Sequence, residues 1–258
     1  MTSSQPGAFI APSMASFKPL ESTVPAEPPE RVVNRLIESL PRKERRRMLG
    51  CGELVDLAFG AILCEPDQRY GHVFFPLTGF ISLVATVPRH EPLEIAMIGN
   101  EGVLGATLVL GIGTAPLRAV VQGAGTALRM TVPQFRRGLR DSPGLVRILN
   151  LYLYVSMAQL SKTVTCTRFH DVEARLVRWL LMTHDRAHSD HFHLTHQFLA
   201  DMLGVRRSAV TIAAGVLQEK GLIHYARGDI TIQSRRGLEA ASCECYEATV
   251  DDYTRLLT

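Results

Sequence analysis

Between Leu194 and Thr211 the chain reads Leu-Thr-His-Gln-Phe-Leu-Ala-Asp-Met-Leu-Gly-Val-Arg-Arg-Ser-Ala-Val-Thr. The side chains that carry chemistry here are hydrogen-bonding groups rather than nucleophiles: Thr195, Gln197, Arg206, Arg207, Ser208 and Thr211. An arginine's planar fork meets two acceptors at once, as on a guanine edge or a phosphate, and a Ser or Thr hydroxyl serves either. Such groups act together only if one element presents them side by side. The pattern supplies it. Thr195 is placed to cap a helix whose inner face is Phe198, Leu199 and Met202, and Gly204 provides the left-handed residue that ends it. A second helix starts near Arg206, buries Val210, Ala213, Ala214 and Leu217 at helical spacing, and stops at Gly221. That core stripe leaves Arg206, Arg207, Ser208 and Thr211 facing outward.

Two short helices joined by a tight glycine turn form a helix-turn-helix. The first braces the second, which is then free to enter a duplex groove about 12 Å wide. Leu222–Ala226 and Asp229–Ile232 flank Arg227-Gly228 and read as a β-hairpin. Helix, turn, helix and hairpin make a winged helix, with Tyr225 and Arg227 on the wing as phosphate contacts. A wing that serves packing alone is the other reading for those two residues.

The elements before it fall into clear classes. Residues 1–30 hold six prolines among Ser, Thr and Ala, and read as a disordered arm. Pro41 opens a helix that carries Arg45-Arg46-Arg47. Short β-rich pieces then recur between Gly and Pro: Leu54–Leu57, Ala61–Cys64, His72–Phe75, Gly79–Val87, Glu94–Ile98, Ala119–Val121 and Ala127–Met130. That spacing signals an antiparallel sandwich or barrel, and Phe80–Val87 alternates as a half-buried strand does. From Ser142 and Pro143 a long helix follows whose apolar side chains fill more than one stripe, so it packs on two neighbours, its own sheet domain and a second subunit; an ordinary buried helix within one domain is the other reading. Arg168–Leu181 is a further helix, and Thr183–Phe192 a polar linker. The fold class is therefore α+β. Its divisions are an arm at 1–30, a β-rich domain at 31–141, a dimerisation helix at 142–167, a winged helix at 168–238 and an acidic tail at 239–258.

This order of parts resembles the cyclic-AMP-receptor/fumarate-nitrate-regulator (Crp/Fnr) family of bacterial transcription factors, over roughly Leu36 to Leu238. The resemblance implies a cyclic-nucleotide-binding-like β-roll, a homodimer joined along the long helix, and recognition helices in successive major grooves of a pseudo-palindromic double-stranded DNA site. RNA polymerase is a further implied partner. Arg207 falls on the family's base-reading arginine, whereas Ser208 stands where many members carry Glu. Nucleotide-binding members carry Gly-Glu, then about ten residues, then Arg-Ser/Thr-Ala. Here Ala106 occupies the Glu position, so the sensor's ligand is unknown or lost. Gly105, Thr107 and Arg118 are the candidate effector contacts.

Hydrophobic residues make up 46% of the chain and charged residues 21%, which is the composition of a globular protein with a core. The net charge of +3 conceals +5 over residues 31–50 and −4 over 239–258, so the local patch is the relevant quantity. No apolar run reaches the roughly 18 residues of a membrane span. Five cysteines in no even framework suit a reduced, cytoplasmic setting. No P-loop, nucleophile elbow, His-Glu-x-x-His or dinucleotide fingerprint is present, so no enzyme is expected. Neither is a cofactor or a metal expected. Cys243 and Cys245 read as incidental thiols, with a redox pair or half a metal site as alternatives, and His188, His191, His193 and His196 as titrating surface groups. A second functional reading remains beside the DNA-binding one: a ligand-sensing or interaction module whose winged helix docks protein.

Overall fold

The computed structural model describes residues 34–257. The arm expected at 1–30 lies outside them. Asn34 caps α1 (Arg35–Glu38) through its side-chain oxygen, while its amide donates to the carbonyls of Pro76 and Gly102. Pro41 precedes α2 (Arg42–Cys51), as its fixed φ favours. Seven strands follow: β1 (Glu53–Leu57), β2 (Ile62–Cys64), β3 (His72–Pro76), β4 (Phe80–Ala85), β5 (Leu93–Ile98), β6 (Arg118–Gly123) and β7 (Gly125–Thr131). They pair antiparallel into two sheets, ordered β1-β7-β3 and β2-β6-β4-β5. A 3-10 turn, Ala106–Leu110, lies between β5 and β6.

Alternation along the strands divides two cores. Phe74, Leu57 and Ala127 point between the sheets, where they meet Ile81, Ile98, Leu104 and Val121. Their neighbours Val73, Phe75, Leu128 and Met130 point the other way, onto α1, α3 (Val132–Asp141) and α4 (Pro143–Phe169). Strand β3 is buried on both faces, which is why its sequence is continuously apolar. The long helix starts as its sequence demands: the Ser142 hydroxyl accepts from the Leu145 N–H at 3.2 Å, with Pro143 in the first turn.

The C-terminal part contains α5 (Val172–Ala187), β8 (His191–His193), α6 (His196–Leu203), α7 (Arg207–Glu219), β9 (Ile223–Ala226), β10 (Asp229–Ile232), α8 (Arg235–Ala241) and α9 (Glu244–Leu257). The wing is a three-stranded antiparallel sheet, β8-β10-β9.

Three expectations change. The segment Thr183–Phe192 is not a linker throughout: α5 continues to Ala187, because Arg186 turns inward to a buried carboxylate, and Phe192 anchors a strand. Strand β4 is buried on both faces rather than one, because Phe80 joins the core formed with α5 while Ile81 faces the roll interior. Residues 244–257 are a helix whose Leu257 lies in the roll's helical core and whose Asp252 pairs with Lys162 of α4.

Candidate nucleic-acid interface

Helix α6 is capped by Thr195, whose hydroxyl accepts from the Phe198 N–H at 3.1 Å, and ends at Gly204 in the left-handed conformation (φ 63°). Gly204 also has to be small, because a Cβ there would lie 2.8 Å from Leu93 Cδ1 of β5. Helix α7 then begins with Arg206 at its N-cap position and buries Val210, Ala213, Ala214 and Leu217. The stripe read from the sequence is the stripe the structure buries.

The opposite face of α7 is open. Arg206, Arg207, Ser208, Thr211 and Ile212 are all exposed. The side chains of Arg206, Arg207 and Ser208 make no hydrogen bond or ion pair among the described residues, so their donors are available to an incoming acceptor. Arg227 is likewise exposed and unpaired. It occupies, with Gly228, a two-residue hairpin loop in which both φ angles are positive (52° and 92°), the geometry that matches the twist of the flanking strands.

The remaining predicted site residues are partly spent inside the fold. The Gln197 amide donates to Asp201 at 2.7 Å, and Thr195 is the cap. Thr211 donates to the Arg207 carbonyl at 3.1 Å and meets His196 Nδ1 at 2.9 Å. His196 in turn stacks on Tyr225, with ring centroids 4.1 Å apart and planes 14° from parallel. This stack joins the wing to the first helix. Burial, and then the nearby Arg207 charge, hold the His196 imidazole below its ordinary pKa and so favour the neutral ring. His196 therefore belongs to the interface scaffold and not to a surface cluster. Ile212, 69% exposed on the outward face, is a site residue that the pattern had not marked. Its signal was an apolar side chain outside the buried stripe.

The roll side of the molecule differs from a phosphate cradle. Arg118 Nε donates to Glu65 Oε2 at 2.9 Å, so its charge is already committed. Gly105 has a positive φ (98°) and packs beside Val73, and Thr107 lies in the following 3-10 turn. Leu104 bridges to Phe74 of β3 through paired backbone hydrogen bonds.

A polar network unforeseen from sequence ties the winged helix to the roll. Ser82 Oγ of β4 lies 2.5 Å from Glu94 Oε2 of β5 and 2.8 Å from Gln122 Oε1 of β6. Trp179 Nε1 of α5 donates to Glu94 Oε1 at 2.7 Å, and the Gln122 amide reaches Met202 Sδ of α6 at 3.1 Å. Burial pushes Glu94 up to about 7, against opposing hydrogen bonds from Ser82 and Trp179 and the charges of Arg186 and Arg178. Nearby, Arg186 of α5 forms a buried ion pair with Glu101 at 2.7 Å. A cavity of about 430 Å3 opens beside this seam, among β5, α4, α5 and α6.

Comparison with known proteins bears on the same segment. Residues 174–241 match the Crp-like helix-turn-helix domain. The global nitrogen regulator of Nostoc sp. is 25% identical over 178 residues, which span 65% of this chain and 78% of that protein. The corresponding regulator of Synechocystis sp. is 25% identical over 180 residues, 66% of this chain and 78% of the relative. Among solved structures, the c-di-GMP responsive regulator CLP of Xanthomonas campestris superposes with a TM-score of 0.61 at 15% identity, over 75% of this chain and all (100%) of that one. FixK2 of Bradyrhizobium japonicum gives 0.59 at 14% identity, over 74% and 98%. A Crp/Fnr-family regulator of Eubacterium rectale gives 0.60 at 14%, over 80% and 96%. The winged helix thus matches the Crp-like helix-turn-helix domain, and the chain shares its fold with solved Crp/Fnr-family regulators.

Proposed function

We propose that this chain is a homodimeric, sequence-specific DNA-binding regulator of transcription, acting in the cytoplasm on a pseudo-palindromic site. Residues 168–238 form its DNA-binding domain, 142–167 its dimerisation helix and 31–141 its sensor. The observation that carries this reading is the unpaired, outward set Arg206, Arg207 and Ser208 at the N-terminal end of α7, flanked by Arg227 on the wing. A helix end with two arginines has the reach and charge to enter a major groove. Arg207 is the base reader in this proposal, Ser208, Thr211 and Ile212 line the groove floor, and Ile212 is suited to a thymine methyl group. Arg206, Arg227, Thr195, Gln197 and the Tyr225 edge face the phosphates.

The dimer reading rests on α4. Its buried face, from Leu145 to Val155, packs on the roll. On another face Tyr154, Met157, Leu160 and Val164 stay exposed, Val164 by 70%. Covering that stripe with a second α4 would bury it and set the two recognition helices about 34 Å apart, one DNA turn. The effector, in our reading, does not bind as a cyclic phosphate on Arg118, which Glu65 already neutralises.

Selection of bound DNA from a random pool, with and without cyclic nucleotides, tests the proposal. A palindrome recovered equally in both arms supports it. Recovery of no sequence, together with a flat dependence of DNA affinity on salt, refutes it, since phosphate contacts impose a steep negative slope.

A further inference from the structure

Cys166, His170, Cys243 and Cys245 are scattered in sequence, yet their donor atoms all lie within 4.8 Å of one another. Cys166 is in the last turn of α4, and His170 is the residue that caps it, its N–H bonded to the Cys166 carbonyl at 3.1 Å. Cys243 and Cys245 come from the junction of α8 and α9. We propose that these four side chains form a tetrahedral Cys3His site for a single zinc-class divalent ion, at the joint between the long helix and the winged helix.

The spacing is that of ligands around one ion. Cys166 Sγ and Cys243 Sγ are 3.8 Å apart, and Cys245 Sγ and His170 Nδ1 are 3.7 Å apart. Thiolates on a tetrahedron with metal–sulfur bonds of about 2.3 Å stand roughly 3.8 Å from each other. A disulfide would need the sulfurs at about 2.05 Å. An iron–sulfide cluster places a cage of atoms between its thiolates and holds them further apart than one ion does. Sulfur and imidazole donors without a carboxylate among them select a soft or borderline ion over calcium or magnesium.

The surroundings fit the same assignment. His170 Nε2 lies 3.3 Å from Glu244 Oε1, so with the Nε2 proton facing that carboxylate the Nδ1 lone pair is turned toward the sulfurs. Cys243 directly precedes α9, and its sulfur accepts a hydrogen bond from the Cys245 backbone N–H. Among the described residues the three cysteines form a small buried cluster with Ala174 packed against it, so hydrocarbon packing gives little reason for them to gather. Three thiolates, one neutral imidazole and a divalent cation sum to one negative charge. Arg178 can balance it. That guanidinium is buried, makes no ion pair among the described residues and has a buried Nε without a partner.

Such an ion would tie the C-terminal helix to the end of α4, across the break at His170 where the chain turns into α5. Metal analysis of the full-length chain, purified reducing and without chelator, tests the site, together with cobalt titration of the metal-free chain. We expect one zinc per chain, three thiols that react with a disulfide reagent only once a strong chelator is added, with buried Cys64 slow and exposed Cys51 reactive in both states, and the visible bands of tetrahedral cobalt–thiolate. Cys243→Ser and His170→Ala should each weaken metal affinity at least 100-fold, and Glu244→Gln about 10- to 100-fold. Cys51→Ser, at an exposed cysteine outside the site, should leave affinity unchanged. Absence of both bound zinc and a cobalt spectrum in the wild-type chain would overturn the proposal, whatever the variants do. So would a Cys166–Cys243 disulfide in the reduced preparation, or the broad absorbance of an iron–sulfide cluster.

Discussion

Replacing Glu94 by Gln should stabilise the protein at pH 8 and leave it nearly unchanged at pH 5. The reason begins with counting protons. Ser82 has one hydroxyl proton but stands between two acceptors, Glu94 Oε2 at 2.5 Å and Gln122 Oε1 at 2.8 Å. Gln122 turns its Nε2 toward Met202 and so presents its oxygen to Ser82. An ionised Glu94 takes the Ser82 proton and leaves two oxygens facing each other at 2.8 Å. A protonated Glu94 donates to Ser82, which donates onward to Gln122, and every group is satisfied. Burial is the largest cause and places this carboxyl at about 7, against an ordinary 4.5, although the Ser82 and Trp179 hydrogen bonds and the Arg186 and Arg178 charges oppose it. At 1.36 kcal/mol per tenfold, ionising it in the fold costs about 3 kcal/mol more than in the unfolded chain. The sign follows from proton linkage. The native state holds this proton between pH 4.5 and 7 while the unfolded state has released it, so the contribution is whole below 4.5 and lost as pH rises through 7. The charged groups facing Glu94 are Arg178 and Arg186, and Arg186 is already paired to Glu101. Gln keeps the acceptor for Trp179 and offers an N–H to Ser82, imitating the protonated acid at every pH. Urea unfolding of both proteins at pH 5, 6.5 and 8 measures the difference. A gap that stays constant across that range, or a variant less stable at pH 8, would refute the reasoning.

Arg207→Ala should lose about 1–3 kcal/mol of site discrimination per half-site, read by competition between specific and random DNA. Equal loss on both would assign Arg207 to phosphate alone. Val164→Glu places a charge on the exposed stripe of α4 and should shift a dimer to monomer in sedimentation equilibrium at micromolar concentration, where a wild-type monomer would contradict the assembly. Arg186→Met strands the buried Glu101 carboxylate and should cost about 3–5 kcal/mol in denaturant unfolding, whereas a loss below 1 kcal/mol would mean that Glu101 reaches water.

Local rules made the helix-turn-helix readable. The Thr195 cap, the Gly204 stop and the Val210–Leu217 stripe each depend on residues within one turn of one another, and all three stand in the structure. The strands were legible for the same reason. What escaped depends on distant partners. Ser82 on the outer face of β4 looks like a solvent-facing residue until α5 covers it, and Glu94 looks like a surface carboxylate until Trp179 arrives 85 positions later. Residues 239–258 read as a tail because their charge is acidic, yet the apolar Tyr246, Tyr253 and Leu257 sit at spacings that one helix brings to one side. Cys166 and His170 are four residues apart, where the long helix ends. Their meeting with Cys243 and Cys245 exists only after α9 folds back along α4.

The path by which a signal could move the winged helix follows from where the fold is weak and where it is held. At the joint, Phe169 ends α4, His170 is extended (φ −106°, ψ 147°), and Asp171 caps α5. One extended residue joins the two helices, and α9 spans it, paired with α4 through Asp252 and Lys162 and with α5 through Tyr246 and Asp185. Resistance comes from the seam, where Phe80 and Met97 of the roll share a core with Leu176, Trp179, Leu180 and Met202, and from the Arg186–Glu101 pair. Parting that seam exposes apolar surface and strands the carboxylate of Glu101 and, above pH 7, that of Glu94. An effector that binds in the adjoining cavity would act on the seam. A metal at the four-residue cluster would act on the joint. The two inputs would be separable by the Glu94→Gln and Cys243→Ser substitutions, because the first changes how tightly the domain is docked and the second how freely it turns once released.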